Sequence, residues 1–315
     1  MISKKTFIYK IIYFLLLLHY FPHLYSVKSL KEPFIEGINV KITKYPKILC
    51  VILSHPTKET STLNHIIRTW LAHCDKSLFI TTTREKLHDR REKMNIEVVK
   101  IISEGKKMNI WKKTIESLKI VHNMFFRNNK NQFDWLLKVN DNSFVIIENL
   151  KRFLINKDEN KSIYYGFNSS YNNINNEMKY NEEYISGGSG YVISRGGIKK
   201  LAEKNFTFVD NCNKKETNGF EDIIIGRCFR KFGIEGGDSK DEYGFETFLP
   251  PVPKKNYILT LSKSGEMYSM FPGDKYECEK LSQYPISFHN IVPENIYILY
   301  FIFYKSKVYD GQYEE

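Results

Sequence analysis

Apolar positions along this chain recur in two periods. Ile48 to Leu53 is an unbroken apolar run closed by His55-Pro56, the pattern of a strand buried on both faces of a parallel sheet. From Ser61, a good N-cap, the residues Leu63, Ile66, Ile67, Trp70 and Leu71 fall at i, i+3, i+4, i+7 and i+8, which predicts an amphipathic helix. Ser77 to Thr82 predicts the next strand. Ile110 to Phe126 predicts a second helix, with Trp111, Ile115, Leu118, Val121 and Phe125 on one face. Trp135-Leu136-Leu137 then runs through Lys138 and Val139 into the polar cluster Asn140-Asp141-Asn142-Ser143, and Phe144 to Ile147 follows at once. That stretch reads as strand, tight acidic loop, helix. The order strand, helix, strand, helix, strand predicts right-handed βαβ crossovers and a mostly parallel, Rossmann-like sheet with flanking helices. Such sheets take ligands just past the carboxyl ends of their strands, so the acidic loop is expected to mark the active-site edge.

Downstream the pattern changes. Ile163 to Gly166 predicts a strand, Asn168 to Asn181 a polar loop, and Tyr184 to Ser194 a glycine-rich turn feeding a strand. Gly187, Gly188 and Gly190 let backbone approach a ligand closely, but their spacing and position are not those of a dinucleotide fingerprint. Gly219-Phe220-Glu221-Asp222 opens a helix over 223–232. Two carboxylates at a helix start also suit the macrodipole with no chemistry attached. Beyond it, Gly237-Asp238-Ser239 and the segment from Glu246 to Pro253 read as extended.

With 315 residues, 42% hydrophobic and 15% aromatic, the chain can bury a large core. Its net charge of +11 is spread along the sequence without a zinc-finger or RNP signature, so the basic character reads as a solvated surface and no nucleic acid is expected as a partner. Such charge favours phosphate-bearing ligands by long-range attraction. Lys4, Lys5 and Lys10 precede an apolar run that reaches Phe21, the layout of a signal peptide or an uncleaved anchor. Residues 7–24 would just span a bilayer as a type II anchor, and either reading sends the body of the chain into the secretory pathway. The sequons at Asn160, Asn168 and Asn205 agree with that route. The five cysteines, Cys50, Cys74, Cys212, Cys228 and Cys278, form no CxxC pair, which argues for disulfides over zinc. Cys74 lies where it could reach back to Cys50 on the neighbouring strand. One cysteine is left over.

The segments TWLAHCDK, IWKKTI, DWLLKVNDNSFVIIENL, YISGGSGYVIS, FEDIIIGRC, GDSKD with TFLPPVP, and ISFH occur in an order that resembles the core 1 β1,3-galactosyltransferase branch of glycosyltransferase family 31. The resemblance runs from about Ile48 to His289. It implies a GT-A type α/β fold and an inverting enzyme that moves galactose from UDP-galactose to the 3-hydroxyl of O-linked N-acetylgalactosamine on glycoproteins. It also implies Mn²⁺ to neutralise charge on the departing diphosphate. The family's acidic loop falls on Asn140, Asp141 and Asn142, and a further metal ligand falls on His289; Asp141, Asn142 and His289 are therefore the expected metal set. The family's acidic pair falls on Glu221 and Asp222, with Asp222 the expected base. Gly187, Gly188 and Gly190 would lie against donor or acceptor.

Cys50 with Cys74 and Cys212 with Cys228 match family disulfides, while Cys278 stands where the family tends to have two adjacent cysteines, and so would permit a disulfide-linked homodimer. The expected organisation is a cytoplasmic tail (1–6), the anchor (7–24), a stem (25–46), a luminal catalytic-type domain (47–305) and a C-terminal tail (306–315), in the Golgi or ER membrane.

The chain departs from the resemblance in its central loop. Asn140 and Asn142 replace Asp, and an amide coordinates a cation without contributing charge. Leu249 stands where active members tend to have His. The family also includes a relative without the acidic loop that acts as a chaperone for the transferase, so a non-catalytic folding partner or pseudoenzyme is the alternative expectation.

Overall fold

The computed structural model describes residues 45–54, 59–81, 96–100, 110–127, 132–172, 181–206, 221–249 and 282–307. Residues Ile42–Tyr300 form one compact unit, and the other unit contributes only its part of 301–307 to the described residues. The expected anchor, the stem up to residue 44, Cys212, Cys278 and Pro250 to Pro253 lie outside the described residues. Among those described, no helix is long and apolar enough to cross a membrane.

The first half alternates as its apolar runs predict. Strand β1 (Ile48–Leu53) is followed by helix α1 (Glu59–Ile67), β2 (Lys76–Thr81), β3 (Ile96–Lys100), α2 (Ile110–Val121) and β4 (Trp135–Asn140). These four strands pair in parallel, with β1 between β4 and β2 and with β3 at the edge. Every residue of β1 is buried, as an unbroken apolar run requires. Helix α1 starts at Glu59, two residues before the expected cap at Ser61, and Trp70 and Leu71 sit in a separate 3₁₀ turn, Trp70–His73. Strand β3 has no counterpart in the sequence reading. The Cys50–Cys74 disulfide ties β1 to the segment entering β2.

The second half departs from the parallel expectation. Strands β5 (Phe144–Val145), β6 (Ile163–Gly166), β7 (Asn168–Asn172), β8 (Asn181–Ile185) and β9 (Tyr191–Ser194) follow β4, with helix α3 (Ile147–Leu154) after β5. Helices α4 (Arg195–Glu203) and α5 (Glu221–Lys231) come next, then β10 (Glu235–Gly237), β11 (Phe248–Leu249), β12 (Ser287–Phe288) and α6 (Pro293–Tyr304). Strand β9 runs antiparallel between β4 and β6, so the seven-stranded sheet, ordered β10-β6-β9-β4-β1-β2-β3, is mixed.

The fold class is α/β with helices flanking a central sheet, as expected for a GT-A type chain. Two local readings are corrected. Phe144 and Val145 form a strand and not the start of a helix, because both are buried in pairing with β12. Asn168 to Asn181 is not simply a loop, since its two ends pair as the antiparallel β7–β8 hairpin. Hydrogen bonding between ends sets that hairpin, and no apolar periodicity announces it.

Candidate active site

The acidic loop closes immediately after β4. Ser143 N–H donates to the Asn140 carbonyl at 3.2 Å, and Trp70 Nε1 donates to the Ser143 carbonyl at 3.1 Å from below. Trp70 is fully buried, so the core itself holds the loop's last residue. Asp141 is 4% exposed, and Ser54 Oγ, just past the end of β1, donates to its Oδ2 at 3.2 Å. The loop thus stands where the two central strands end.

A small second sheet brings His289 to this edge. Strand β12 pairs antiparallel with β5, Phe288 opposite Phe144, and in parallel with β11, Leu249 opposite Phe288. Ile291 N–H then donates to the Asn142 carbonyl at 2.9 Å. His289 therefore reaches the loop from 147 positions away along the chain. A Cβ placed on Gly188 would stand 2.7 Å from His289 Nδ1, so the imidazole lies directly on that backbone. Burial above all, with Lys138's charge second, pushes the His289 pKa down to about 4, which leaves the ring neutral near pH 7.

The glycine turn packs against both groups. Gly190 N–H closes onto the Gly187 carbonyl at 3.3 Å, and Ser143 Oγ and Ser287 Oγ donate to the Gly188 and Ser189 carbonyls at 3.4 and 2.6 Å. Gly190 has φ +83°, and a Cβ there would meet the Lys138 carbonyl at 2.8 Å. On its other side the turn meets the start of α5, where Gly187 N–H donates to Asp222 Oδ2 at 3.0 Å.

The two adjacent carboxylates are treated differently. Glu221 ion-pairs with Lys138 Nζ at 3.2 Å, accepts from Thr114 Oγ1 at 2.8 Å, and lies 3.5 Å from the Tyr191 hydroxyl. Lys138 itself is 1% exposed and its Nζ lies 5.2 Å over the Tyr191 ring. Asp222 accepts from the backbone N–H groups of Gly187 and Ile223, both at 3.0 Å. Burial, chiefly, raises its pKa; the two N–H bonds and Lys138 oppose that rise, and Glu221's charge adds to it. A carboxylate with raised proton affinity, held by backbone at a helix start, has the properties of a general base.

All the sequence-predicted residues in described segments thus meet at one edge: the 140–142 loop, the 187–190 turn, Glu221, Asp222 and His289. Sequence reasoning did not find Ser54, Lys113, Thr114, Lys138 or Tyr191. Three of them carried a signal. Lys138 interrupts an apolar strand, and Lys113 with Thr114 sits among buried positions of α2.

The donors for Mn²⁺ are fewer than the resemblance implies. Asp141 is the only acidic side chain of the loop, Asn140 and Asn142 are neutral, and among the described residues no group of three or more His, Cys, Asp or Glu gathers. One carboxylate, an amide oxygen and an imidazole fit a divalent cation with a single formal negative charge, less than the acidic loop of the family would supply. Of the expected disulfides, Cys50–Cys74 is present. Cys228 is also disulfide-bonded, and Cys212, its expected partner, lies outside the described residues.

An α/β sheet that gathers an acidic loop, a glycine turn and a helix-borne carboxylate at its carboxyl edge defines the glycosyltransferase class. The chain belongs to the Fringe-like family, glycosyltransferase family 31, whose model matches residues 54–257. It is 29% identical over 284 residues to Glycoprotein-N-acetylgalactosamine 3-beta-galactosyltransferase 1 of Xenopus laevis, covering 88% of this chain and 72% of that one. It is 24% identical to Chondroitin sulfate synthase 3 of Homo sapiens over 39% of this chain and 13% of the relative. Among solved structures, GalNAc-T7 with UDP, GalNAc and Mn²⁺ aligns with a TM-score of 0.36 and 9% identity, over 57% of this chain and 40% of that one.

Proposed function

We propose that this chain is an inverting glycosyltransferase that moves galactose from UDP-galactose to the 3-hydroxyl of O-linked N-acetylgalactosamine on glycoproteins, with Asp222 as the base. The observation that carries the reading is the separation of roles at the start of α5. Glu221 is occupied by Lys138 and Thr114, whereas Asp222 is aimed by the Gly187 N–H and has raised proton affinity. The identity of the donor and acceptor is supported by the Xenopus laevis relative, which the chain matches over most of its length.

In the reaction, the acceptor hydroxyl gives its proton to Asp222 as its oxygen bonds to the sugar's anomeric carbon. The bond from that carbon to the diphosphate breaks on the opposite face, and UDP leaves with the electron pair. The Gly187–Gly190 turn would lie against the sugars. No step is routed through a cation. Mn²⁺ bound through Asp141, Asn142 and His289 would add positive charge beside the leaving diphosphate, held by a single formal negative charge. On this reading the expected anchor would place residues 47–305 in the lumen of the Golgi or ER.

The test is UDP release from UDP-galactose with a GalNAc-bearing peptide on the purified protein. Asp222→Asn should lower kcat by about 10²–10⁴ and leave UDP affinity within about threefold. Equal loss of turnover and UDP binding would make Asp222 structural. No turnover by the unaltered protein, with or without Mn²⁺, would favour the non-catalytic folding partner that Asn140 and Asn142 suggest.

A further inference from the structure

Helix α6 is apolar or aromatic without a break from Ile296 to Tyr304, yet Ile296 is the one residue of the helix that is buried. A helix apolar all round is ordinarily enclosed, by protein or by lipid. One face of α6 rests on the domain. The Tyr297 hydroxyl lies 3.1 Å from His65 Nδ1 in α1, and the Tyr300 hydroxyl lies 3.4 Å from His73 Nε2 in the 3₁₀ turn. Ile298, Phe301 and Ile302, at i, i+3 and i+4, fall on the opposite face and are 49%, 57% and 37% exposed. The helix also has a direction. It starts beside the acidic loop, where Ile291 N–H donates to the Asn142 carbonyl, and by Tyr300 it has reached the amino edge of the sheet. There His73 stands two residues before Asp75, whose Oδ2 accepts from the Ile48 N–H that opens β1. Helix α6 therefore runs toward the point where the chain enters the domain. Only the 23 residues 25–47 separate that point from the expected anchor.

We propose that α6 is a second membrane contact of this chain, in which Ile298, Phe301 and Ile302 enter the lipid leaflet beside the N-terminal anchor and turn the acidic loop away from the bilayer. The inference rests on the anchor proposed above and not on the sugar nucleotide. Twelve residues of helix are about 18 Å long, too short for a hydrocarbon core of about 30 Å, so α6 lies in the boundary and does not span. Its aromatic content suits that depth, where tyrosine and phenylalanine meet lipid and headgroup together. Lys307, exposed just past the helix, suits the headgroup layer. A second copy of the chain is the weaker occupant. Three such side chains expose on the order of 300 Å², short of the roughly 800 Å² per partner that a stable dimer buries. Lipid needs no complementary surface and is already at hand through the anchor.

Tryptophan fluorescence of the full-length protein in phosphatidylcholine vesicles, with plain or brominated acyl chains, tests this. Bromine quenches an indole it touches, and Trp70, Trp111 and Trp135 are buried, so they give a constant background. The emission added by Phe301→Trp should fall by at least roughly twofold in brominated vesicles, as insertion into the acyl boundary requires. Ile298→Trp is the second probe and should behave alike. Ile110→Trp, at an exposed position that opens α2 on the carboxyl side of the sheet, should be unaffected. Protein that floats with the vesicles while neither α6 probe is quenched overturns the proposal and leaves the anchor standing. Equal quenching at Ile110→Trp overturns the orientation. A blue shift of the α6 probes that grows with protein concentration, without quenching, assigns the face to a second copy and overturns the lipid contact. Failure of the unaltered protein to float removes the anchor, and this inference with it.

Discussion

Adjacent carboxylates at a helix start look alike in sequence, and their surroundings separate them. Glu221 faces a buried lysine and a threonine hydroxyl; Asp222 faces two backbone N–H groups and is chiefly burial-shifted. For the proposed base the sign follows directly. The reactive form is the carboxylate, so activity falls as pH drops through a pKa raised above the ordinary 3.8, and the acid limb of kcat should lie above that value. His289 gives a stability prediction of its own. Its folded pKa of about 4 lies below the ordinary 6.5, so the fold favours the neutral ring. That contribution is complete above pH 6.5 and is lost as pH falls from 6.5 through about 4, for a total of roughly 3 kcal/mol. Denaturant melts across this window should show the loss in the unaltered protein and a smaller one in His289→Gln. Asp222 and His289 were both legible as residues in the sequence. What aims them was not, because Gly187 and Gly188 lie far from each of them along the chain.

At the scale of elements, the turn between β8 and β9 is the joint of the site. Its carbonyls are held by Ser143 from the acidic loop and Ser287 from β12, and its N–H holds α5. Gly190 is the position that cannot change. With φ +83° and a Cβ that would press Val139 Cγ1 at 2.5 Å, Gly190→Ala should cost about 1–3 kcal/mol and lower turnover beyond that stability loss, measured by thermal melting and kcat together. Strands β1 and β4 and helix α2 were readable because each carries its own apolar period. Strands β5 and β12 were not, since each is two residues long and exists only by pairing with partners distant in sequence, whereas β11 falls inside the segment read as extended. Lys138 illustrates the same limit. Its sequence position marks a polar residue in a buried strand, while its partner Glu221 lies 83 positions on.

For the whole molecule, the parallel half supplies the edge that carries the acidic loop, and the antiparallel β9 carries the glycine turn onto the same sheet. The one disulfide with both cysteines described fastens that parallel half. Cys50 and Cys74 are separated by 24 positions, and closing such a loop restricts the unfolded chain by about 3 kcal/mol. The double replacement Cys50→Ala/Cys74→Ala should lower unfolding free energy by about that amount in denaturant titrations, with the arrangement at Asp222 retained.

The sequence by itself determined the α/β class, the two central strands, the acidic loop and the family, because apolar periodicity and ordered motifs are local and survive without coordinates. It also exposed the loop's weakness, since Asn140 and Asn142 are visible as letters. Only the tertiary structure decided which member of the acidic pair is engaged by lysine, which backbone atoms aim Asp222, and that His289 lies on Gly188. Those outcomes depend on contacts closed across 35 to about 150 positions of chain, and on burial that sets charge and proton affinity. The contact of Ser54, just past β1, with Asp141 in the loop after β4 belongs to the same kind, closed across 87 positions at the carboxyl edge of one sheet.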